Sequence, residues 1–426
     1  MKKKFIGSST IIASLTRKLS WSILIIIALA SPGWGQAKVA EIVGNPTVND
    51  DRVTVRIKVK GTEERPVMGL QDTNFKILVD EKEVNFYPQD WKSPEESIPP
   101  PAWIIVLLDF SGSMQQLDSR GTTKIQGAIN AIRQLITVLK ERGENTQIAI
   151  VPFGEASNKC QGYAVNQESL DKFFAAGDFK LKNNLDYLEN LKPCAFTNLY
   201  EPFKKAVKFL ANTTDTRFYP PENSFQPEPR LSIILLSDGY HNAANEAQDF
   251  QTLTNLLKRN RQIVVHTLGY GLTPEQLGHK YNIGRAATRV DINQGRVPAE
   301  EFVDKERLAE IARLTGGIAE FSGDAEAIAE NLQLFLDALL GEYEITYAQP
   351  NAERGSKHDV QVVVTSQGNK LVESPPKSYT ITVFGRSLPL SVRITMLMCI
   401  FVLLTLGGIV PFYFWGEFLK KQALGD

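Results

Sequence analysis

Between Trp103 and Leu340 two kinds of apolar pattern alternate, and this alternation constrains the fold more than any other feature of the chain. Ile104 to Leu108 is a continuous apolar run, the pattern of a strand buried on both faces of a parallel sheet. Behind it Ile125, Ala128, Ile129, Ile132, Leu135, Ile136 and Leu139 recur at helical spacing. The rhythm repeats as strand 147–153, helix 169–175, helix 199–210, strand 231–236, helix 247–259, strand 263–268, helix 305–314, strand 318–321 and helix 325–340. It predicts an α/β domain over residues 101–340, built on a doubly wound, mostly parallel sheet whose ligand crevice lies at the carboxyl ends of the strands. Segments 212–230 and 273–302 lack clear periodicity and read as long surface loops.

Chemistry-bearing residues fall at the ends of those strands. The first buried strand runs into Asp109-Phe110-Ser111-Gly112-Ser113-Met114, in which Asp109, Ser111 and Ser113 alternate and Gly112 is expected to permit a sharp turn. Three oxygen-bearing side chains can then face one point at the carboxyl edge of the sheet. A second buried strand ends in Ser237-Asp238-Gly239, which brings another carboxylate to that edge, and between the two Thr197 opens a helix in Thr197-Asn198-Leu199-Tyr200. Hard divalent cations require such oxygen ligation.

In this order, Asp-x-Ser-Gly-Ser-Met after an apolar strand, a Thr-x-Leu-Tyr helix start and a strand ending Ser-Asp-Gly resemble the von Willebrand factor A (VWA) family and its metal-ion-dependent adhesion site. The resemblance covers Ala102 to about Leu340, and matches Asp109, Ser111, Ser113, Thr197 and Asp238 to the five site positions. It implies a Rossmann-like domain holding Mg²⁺, or Mn²⁺ or Ca²⁺. The hydroxyls would bind the ion directly and the aspartates largely through water, and the ion would stay electron-poor enough to accept a carboxylate from a partner protein. Pro66-Val67-Met68-Gly69-Leu70 and Phe75 are similar to a stretch that precedes the domain in bacterial secreted or membrane-anchored members.

The flanks have a strand rhythm. Val53 to Lys60 alternates strictly between apolar and polar, as in a half-buried strand. Strands 75–79 and 84–86 follow around a turn at Asp80 to Lys82, and Ser93 to Pro101, with Pro99, Pro100 and Pro101, marks a boundary. The rhythm returns at 343–347, 360–364 and 379–384. Residues 38–100 and 341–385 are therefore expected to form one small β-sandwich, with the α/β domain inserted between its strands.

Both ends of the chain are marked. Met1 to Trp21 carries Lys2, Lys3, Lys4, Arg17 and Lys18 without an acid. An apolar run from Ile23 to Ala30 follows, then small residues ending Gly35-Gln36-Ala37. This is the order of a secretory signal peptide over 1–37, an uncleaved anchor helix being the alternative. Ile394 to Trp415 is almost wholly apolar, enough for one transmembrane helix, with 416–426 as a cytoplasmic tail anchored by Lys420 and Lys421. The expected topology is single-pass, with the α/β domain outside the cytoplasm, periplasmic or at the cell surface. Of the three cysteines, Cys399 falls in the apolar span, leaving Cys160 and Cys194 as the exported pair, expected to be bridged in an oxidising compartment. Two separate thiols are the alternative.

The formal charge of the 426 residues is -1, with acids and bases interspersed, which argues against nucleic acid as a partner. No His-Glu-x-x-His, Gly-x-Ser-x-Gly or phosphate-binding Gly-x-x-x-x-Gly-Lys is present, and no histidine stands near Ser111 or Ser113. His241 reads as a residue at the rim of the site or as a solvated loop residue, and His266 as a satisfied core residue. His279 and His358 have no carboxylate or cysteine at ligand spacing. The expected function is non-enzymatic: a membrane-anchored, metal-dependent adhesion module gripping an acidic side chain of an unidentified protein. An accessory or scaffolding subunit of an envelope membrane complex is the alternative.

Overall fold

The structure, a computed structural model, describes residues 36–49, 51–97, 99–142, 145–158, 160–221, 228–238, 241, 245–350, 353, 355–366, 369–381 and 390–425. The signal-peptide segment lies outside the described residues except for Gln36 and Ala37. Ala37 is fully buried and its N–H donates to Ser366 Oγ at 2.9 Å.

Strands β1 (Val39–Asn49), β2 (Arg52–Lys60), β3 (Phe75–Val79), β4 (Lys82–Val84) and β5 (Trp91–Lys92) open the chain. In β2 the apolar residues Val53, Val55, Ile57 and Val59 are buried while their neighbours are not, the period of two that a half-buried strand requires. Asp80 and Glu81, both at positive φ, make the tight β3–β4 turn.

Next come β6 (Ala102–Asp109), α1 (Lys124–Arg142), β7 (Thr146–Phe153), α2 (Gln167–Leu170), β8 (Phe174–Ala175), α3 (Phe179–Asn190), α4 (Tyr200–Leu210) and β9 (Arg230–Ser237). They are followed by α5 (Glu246–Arg259), β10 (Ile263–Tyr270), α6 (Pro274–Lys280), α7 (Arg289–Asn293), α8 (Lys305–Leu314), β11 (Ala319–Ser322) and α9 (Ala325–Leu340). Their sheet has the order β11-β10-β9-β6-β7-β8. Ile104, Val106 and Leu108 of β6 pack toward α1 and α9, and Ile105 and Leu107 toward α4 and α5, so the strand is apolar on both faces. Gly127 lets α1 approach the sheet: a Cβ there would lie 2.2 Å from the Tyr270 hydroxyl and 2.9 Å from Ala325 Cβ.

The last strands, β12 (Tyr343–Ala348), β13 (Lys357–Ser366), β14 (Lys370–Glu373) and β15 (Lys377–Thr380), pair with the first ones. The order β1-β2-β12-β5 forms one antiparallel sheet; β14-β13-β3-β4, with β15 also on β13, forms another. They share a core of Val55, Ile57, Ile77, Tyr343, Ile345, Val362 and Val364, among others.

This arrangement corrects the expected fold class. Two antiparallel sheets carry nine of the fifteen described strands, and the six-stranded sheet is itself mixed, because β8 runs antiparallel to β7. A doubly wound, mostly parallel sheet inserted between the strands of a small β-sandwich therefore does not describe the molecule; mixed α/β does. Part of the reason lies in segment 169–175. Its expected helix stops at Leu170, and Phe174-Ala175 then adds to the β7 edge. Segment 273–302 also differs from a plain loop. Capping boxes at Thr273/Gln276 and Thr288/Asp291 start α6 and α7, and Leu277, Ala287, Val297 and Phe302 form a small core of their own.

At the C-terminal end α10 (Leu390–Leu404), a π-helical turn (Thr405–Ile409) and α11 (Val410–Leu424) form one continuous helical segment. Pro411, which lacks an N–H, accounts for the wide turn just before it. The stretch Ile394–Leu424 is 31 residues long and apolar enough to cross a membrane. Leu397, Phe401, Leu404, Phe412 and Trp415 are all exposed, so this helix has no packing partner among the described residues.

Candidate functional site

Parallel pairing of β6 with β9 sets Leu108 beside Leu236, so the next residues, Asp109 and Ser237, emerge side by side at the carboxyl edge. Asp109 and Asp238 are both fully buried there. The Asp109 carboxylate is held from two sides: Oδ1 accepts the Ser111 N–H at 2.8 Å, and Oδ2 accepts the Ser237 hydroxyl at 2.5 Å. Ser111 Oγ and Ser113 Oγ lie 2.9 Å apart, and the Ser113 hydroxyl donates to Asp238 Oδ1 at 2.8 Å. Four of the five residues singled out by the sequence thus form one connected cluster.

The segment that leads to Thr197 is brought to the same edge by backbone pairing, through Cys194 and Ala195. The Cys194 and Ala195 N–H groups donate to Phe110 O at 3.0 and 3.2 Å, and Gly112 N–H donates to Ala195 O at 3.1 Å. This ladder carries the segment two residues further to Thr197, which is buried, and on into α4. Cys160 and Cys194 form a disulfide with a Cα–Cα distance of 5.8 Å, tying that segment to the connection after β7. Glu155 completes the pinning. It exchanges backbone hydrogen bonds with Phe196 at 2.9 and 3.0 Å, and its carboxylate accepts the Asn198 side-chain N–H at 2.5 Å. Gly112 lies at the start of a 3-10 turn without positive φ, and a Cβ there would meet open space. The glycine is therefore not required by a sharp turn; it leaves the surface beside the serines open. Phe196 stands 58% exposed next to Thr197. A cavity of about 230 Å³ on the α4 side is lined by Glu155, Tyr163, Asn198, Glu201 and Lys205, among others.

The electrostatics of the cluster are unbalanced. Burial, reinforced by the Asp238 carboxylate, pushes the Asp109 carboxyl up to about 7. Burial also raises Asp238, opposed by a cation that the sequence reading did not include: Lys124 Nζ lies 2.5 Å from Asp238 Oδ2. Lys124 is itself 7% exposed, and its Nζ also reaches Gln116 Oε1 at 3.4 Å. Among the described residues no group of three or more His, Cys, Asp or Glu side chains could hold a metal. An ion at this edge would have to be held by two carboxylates and neutral hydroxyls.

The histidines are placed differently from a solvated or fully satisfied reading. His241 is 2% exposed and stacked on Tyr200 at 4.1 Å, and its burial lowers its pKa. His266 is pushed down to about 3 by burial and by Lys58 and Lys60. Its Nδ1 accepts the Ile318 N–H at 3.2 Å, while its buried Nε2 has no partner among the described residues. His358 Nδ1 lies 2.7 Å from Asp80 Oδ2, a carboxylate distant in sequence. Lys124 too was hidden by sequence distance, being 114 residues from Asp238.

No family model and no curated protein matches the chain. Among solved structures it is similar to the pilus adhesin SpaC from Lactobacillus rhamnosus GG, with TM-score 0.41 and 12% identity over 84% of this chain. The chain spans about half of that adhesin, 51% of its length. It is also similar to the TFIIH p34 N-terminal domain, with TM-score 0.36 and 10% identity over 55% of this chain and 96% of that one. Likenesses this distant transfer neither fold nor function.

Proposed function

We propose that the chain is a membrane-anchored binding protein that grips a carboxylate of a protein partner through a divalent ion held by Asp109, Ser111, Ser113, Thr197 and Asp238. The observation that carries this reading is a pair of fully buried carboxylates with a single lysine between them, Asp109 being neutralised without metal only by the proton that its raised pKa retains. Lys124 pairs with Asp238 alone, and ionising Asp109 in such surroundings is costly unless a cation arrives with it. Oxygen donors alone, two of them anionic, suit Mg²⁺ or Mn²⁺ rather than a softer metal. The motif order resembling the VWA adhesion site points the same way. When bound, the ion would supply an electron-poor centre for a partner's carboxylate.

The chain's own groups do the positioning. Ser111 N–H and Ser237 fix both oxygens of Asp109, and Ser113 and Lys124 fix those of Asp238, so neither carboxylate is free to rotate. The disulfide and the Phe110–Ala195 pairing hold the Thr197 segment in register with the serine loop. Gly112 and exposed Phe196 leave an open, partly apolar rim on which a protein surface can rest. Both serine hydroxyls belong to the oxygen cluster and neither bonds a histidine among the described residues, which favours binding over catalysis.

Calorimetry of the full chain in detergent tests the reading: Mg²⁺ or Mn²⁺ should bind once per chain, and crosslinked partners should be recovered with Mg²⁺ and lost in chelator. Absence of divalent binding, or a partner retained equally in chelator, overturns it. Export belongs to the same reading, with residues 38–390 outside and Lys420 inside, supported by the N-terminal charge order and the apolar Ile394–Leu424 stretch. Protease added to intact spheroplasts should then remove the α/β region; protection until lysis would reverse the orientation.

A further inference from the structure

We infer that Lys124 sets the charge of the loaded site, weakening its hold on the divalent ion in exchange for a net positive face that attracts an anionic ligand. The inference rests on the metal-dependent reading above. Lys124 is the first residue of α1, where a cation faces the positive end of the helix dipole, and it is buried there. Neither placement favours a lysine by itself. The group that compensates it is Asp238: Nζ takes Oδ2 at 2.5 Å while Ser113 takes Oδ1 at 2.8 Å. The carboxylate is thus split between an inner oxygen facing the serine cluster and an outer oxygen committed to the lysine.

The charge count gives the consequence. Asp109 and Asp238 together carry two negative charges, which a dication alone would neutralise, leaving a site with no net pull on a carboxylate. With Lys124 the loaded cluster carries one positive charge. The same lysine repels the dication, so metal affinity and anion affinity are set in opposite directions by one residue. A lysine that merely braces α1 against the sheet would not couple them in this way.

The test is Lys124→Gln and Lys124→Met in the full chain in detergent, with Mn²⁺ as the ion and acetate as the probe anion. Mn²⁺ binding is read by calorimetry, and acetate binding by displacement of Mn²⁺-bound water in proton relaxation. Both variants should bind Mn²⁺ roughly tenfold more tightly, the order expected when one unit charge is removed beside a dication. Acetate affinity should fall by roughly threefold or more, and Lys124→Arg, which keeps the charge, should retain it. Loss of both affinities, or no change in either, overturns the inference while leaving the metal reading intact. If wild-type chain fails to bind Mn²⁺, both fall together. If neither neutral variant folds cooperatively, Lys124 is a structural strut and the inference fails.

Discussion

Two buried charge clusters in this molecule resolve the same physical problem differently. At the junction of the sheets, Glu342 is fully buried and paired with Arg230 at 2.7 Å, with Arg56 3.9 Å away; Arg56 in turn pairs with Glu344 at 2.8 Å, and Lys92 with Glu344 at 2.8 Å. That chain has more cations than anions, but its cationic side chains reach water, Lys92 being 44% exposed. At the strand edge, two carboxyl groups, Asp109 and Asp238, share one cation, Lys124, and all three are buried. An excess charge that is solvated is cheap and structural; one that is sealed in must be neutralised, by a proton as at Asp109 or by a cation from outside. The difference separates a cluster that holds sheets together from one that, on the proposed reading, exchanges its proton for a cation.

The largest effect expected from breaking this contrast comes from the covalent frame on the site side. The Cys160–Cys194 bridge closes a 34-residue loop, so replacing both by serine should cost roughly 3 to 4 kcal/mol of unfolding free energy in the chain-entropy account. Urea melts would register it, and the same variant should weaken divalent binding because the Thr197 segment is no longer tied down. An unchanged melt would mean that the backbone ladder alone suffices. On the junction side, Glu342→Gln removes the central anion and should cost about 2 to 3 kcal/mol, with no response to added Mg²⁺. A divalent-dependent melt in that variant would undo the distinction between the clusters.

The folded Asp109 carboxyl sits near 7, well above an unfolded aspartate, so the folded chain holds a proton that the unfolded chain has released. Without metal, stability should fall as pH rises from about 4 to about 7 and then level off. Asp109→Asn should flatten that slope. In divalent titrations Asp109→Asn and Asp238→Asn should each lose about 10- to 100-fold in affinity, the range of outer-sphere losses. A metal-free chain whose stability rises over that pH interval would contradict the sealed-anion picture. The smallest effect is expected for Thr197→Ala, which removes one neutral oxygen and should weaken Mn²⁺ by less than about tenfold; calorimetry showing a loss equal to that of Asp238→Asn would move Thr197 to the centre of the site.

Much of the fold was legible only in pieces. β6 and β2 could be read from their apolar patterns, because a strand buried on both faces and a half-buried strand leave different periods. Helix α3 was not among the expected elements, although Asp178, Leu181, Leu185 and Leu188 carry its signal, a cap followed by one apolar stripe. The two residues of β8 carry no pattern of their own. Their antiparallel placement depends on the β7 edge being available, and that edge helps make the molecule mixed α/β rather than doubly wound.

Residue order by itself determined the Asp109, Ser111 and Ser113 spacing, the Asp238 strand end, the Cys160 and Cys194 pair and the long apolar C-terminal segment, whereas the helix expected to open at Thr197 begins only at Tyr200. Only the tertiary structure decided that Lys124 faces Asp238 and that Glu342 is sealed against Arg230. Those pairings join residues 114 and 112 positions apart. What they contribute depends on how much water each group keeps, a property of packing that no sequence interval records.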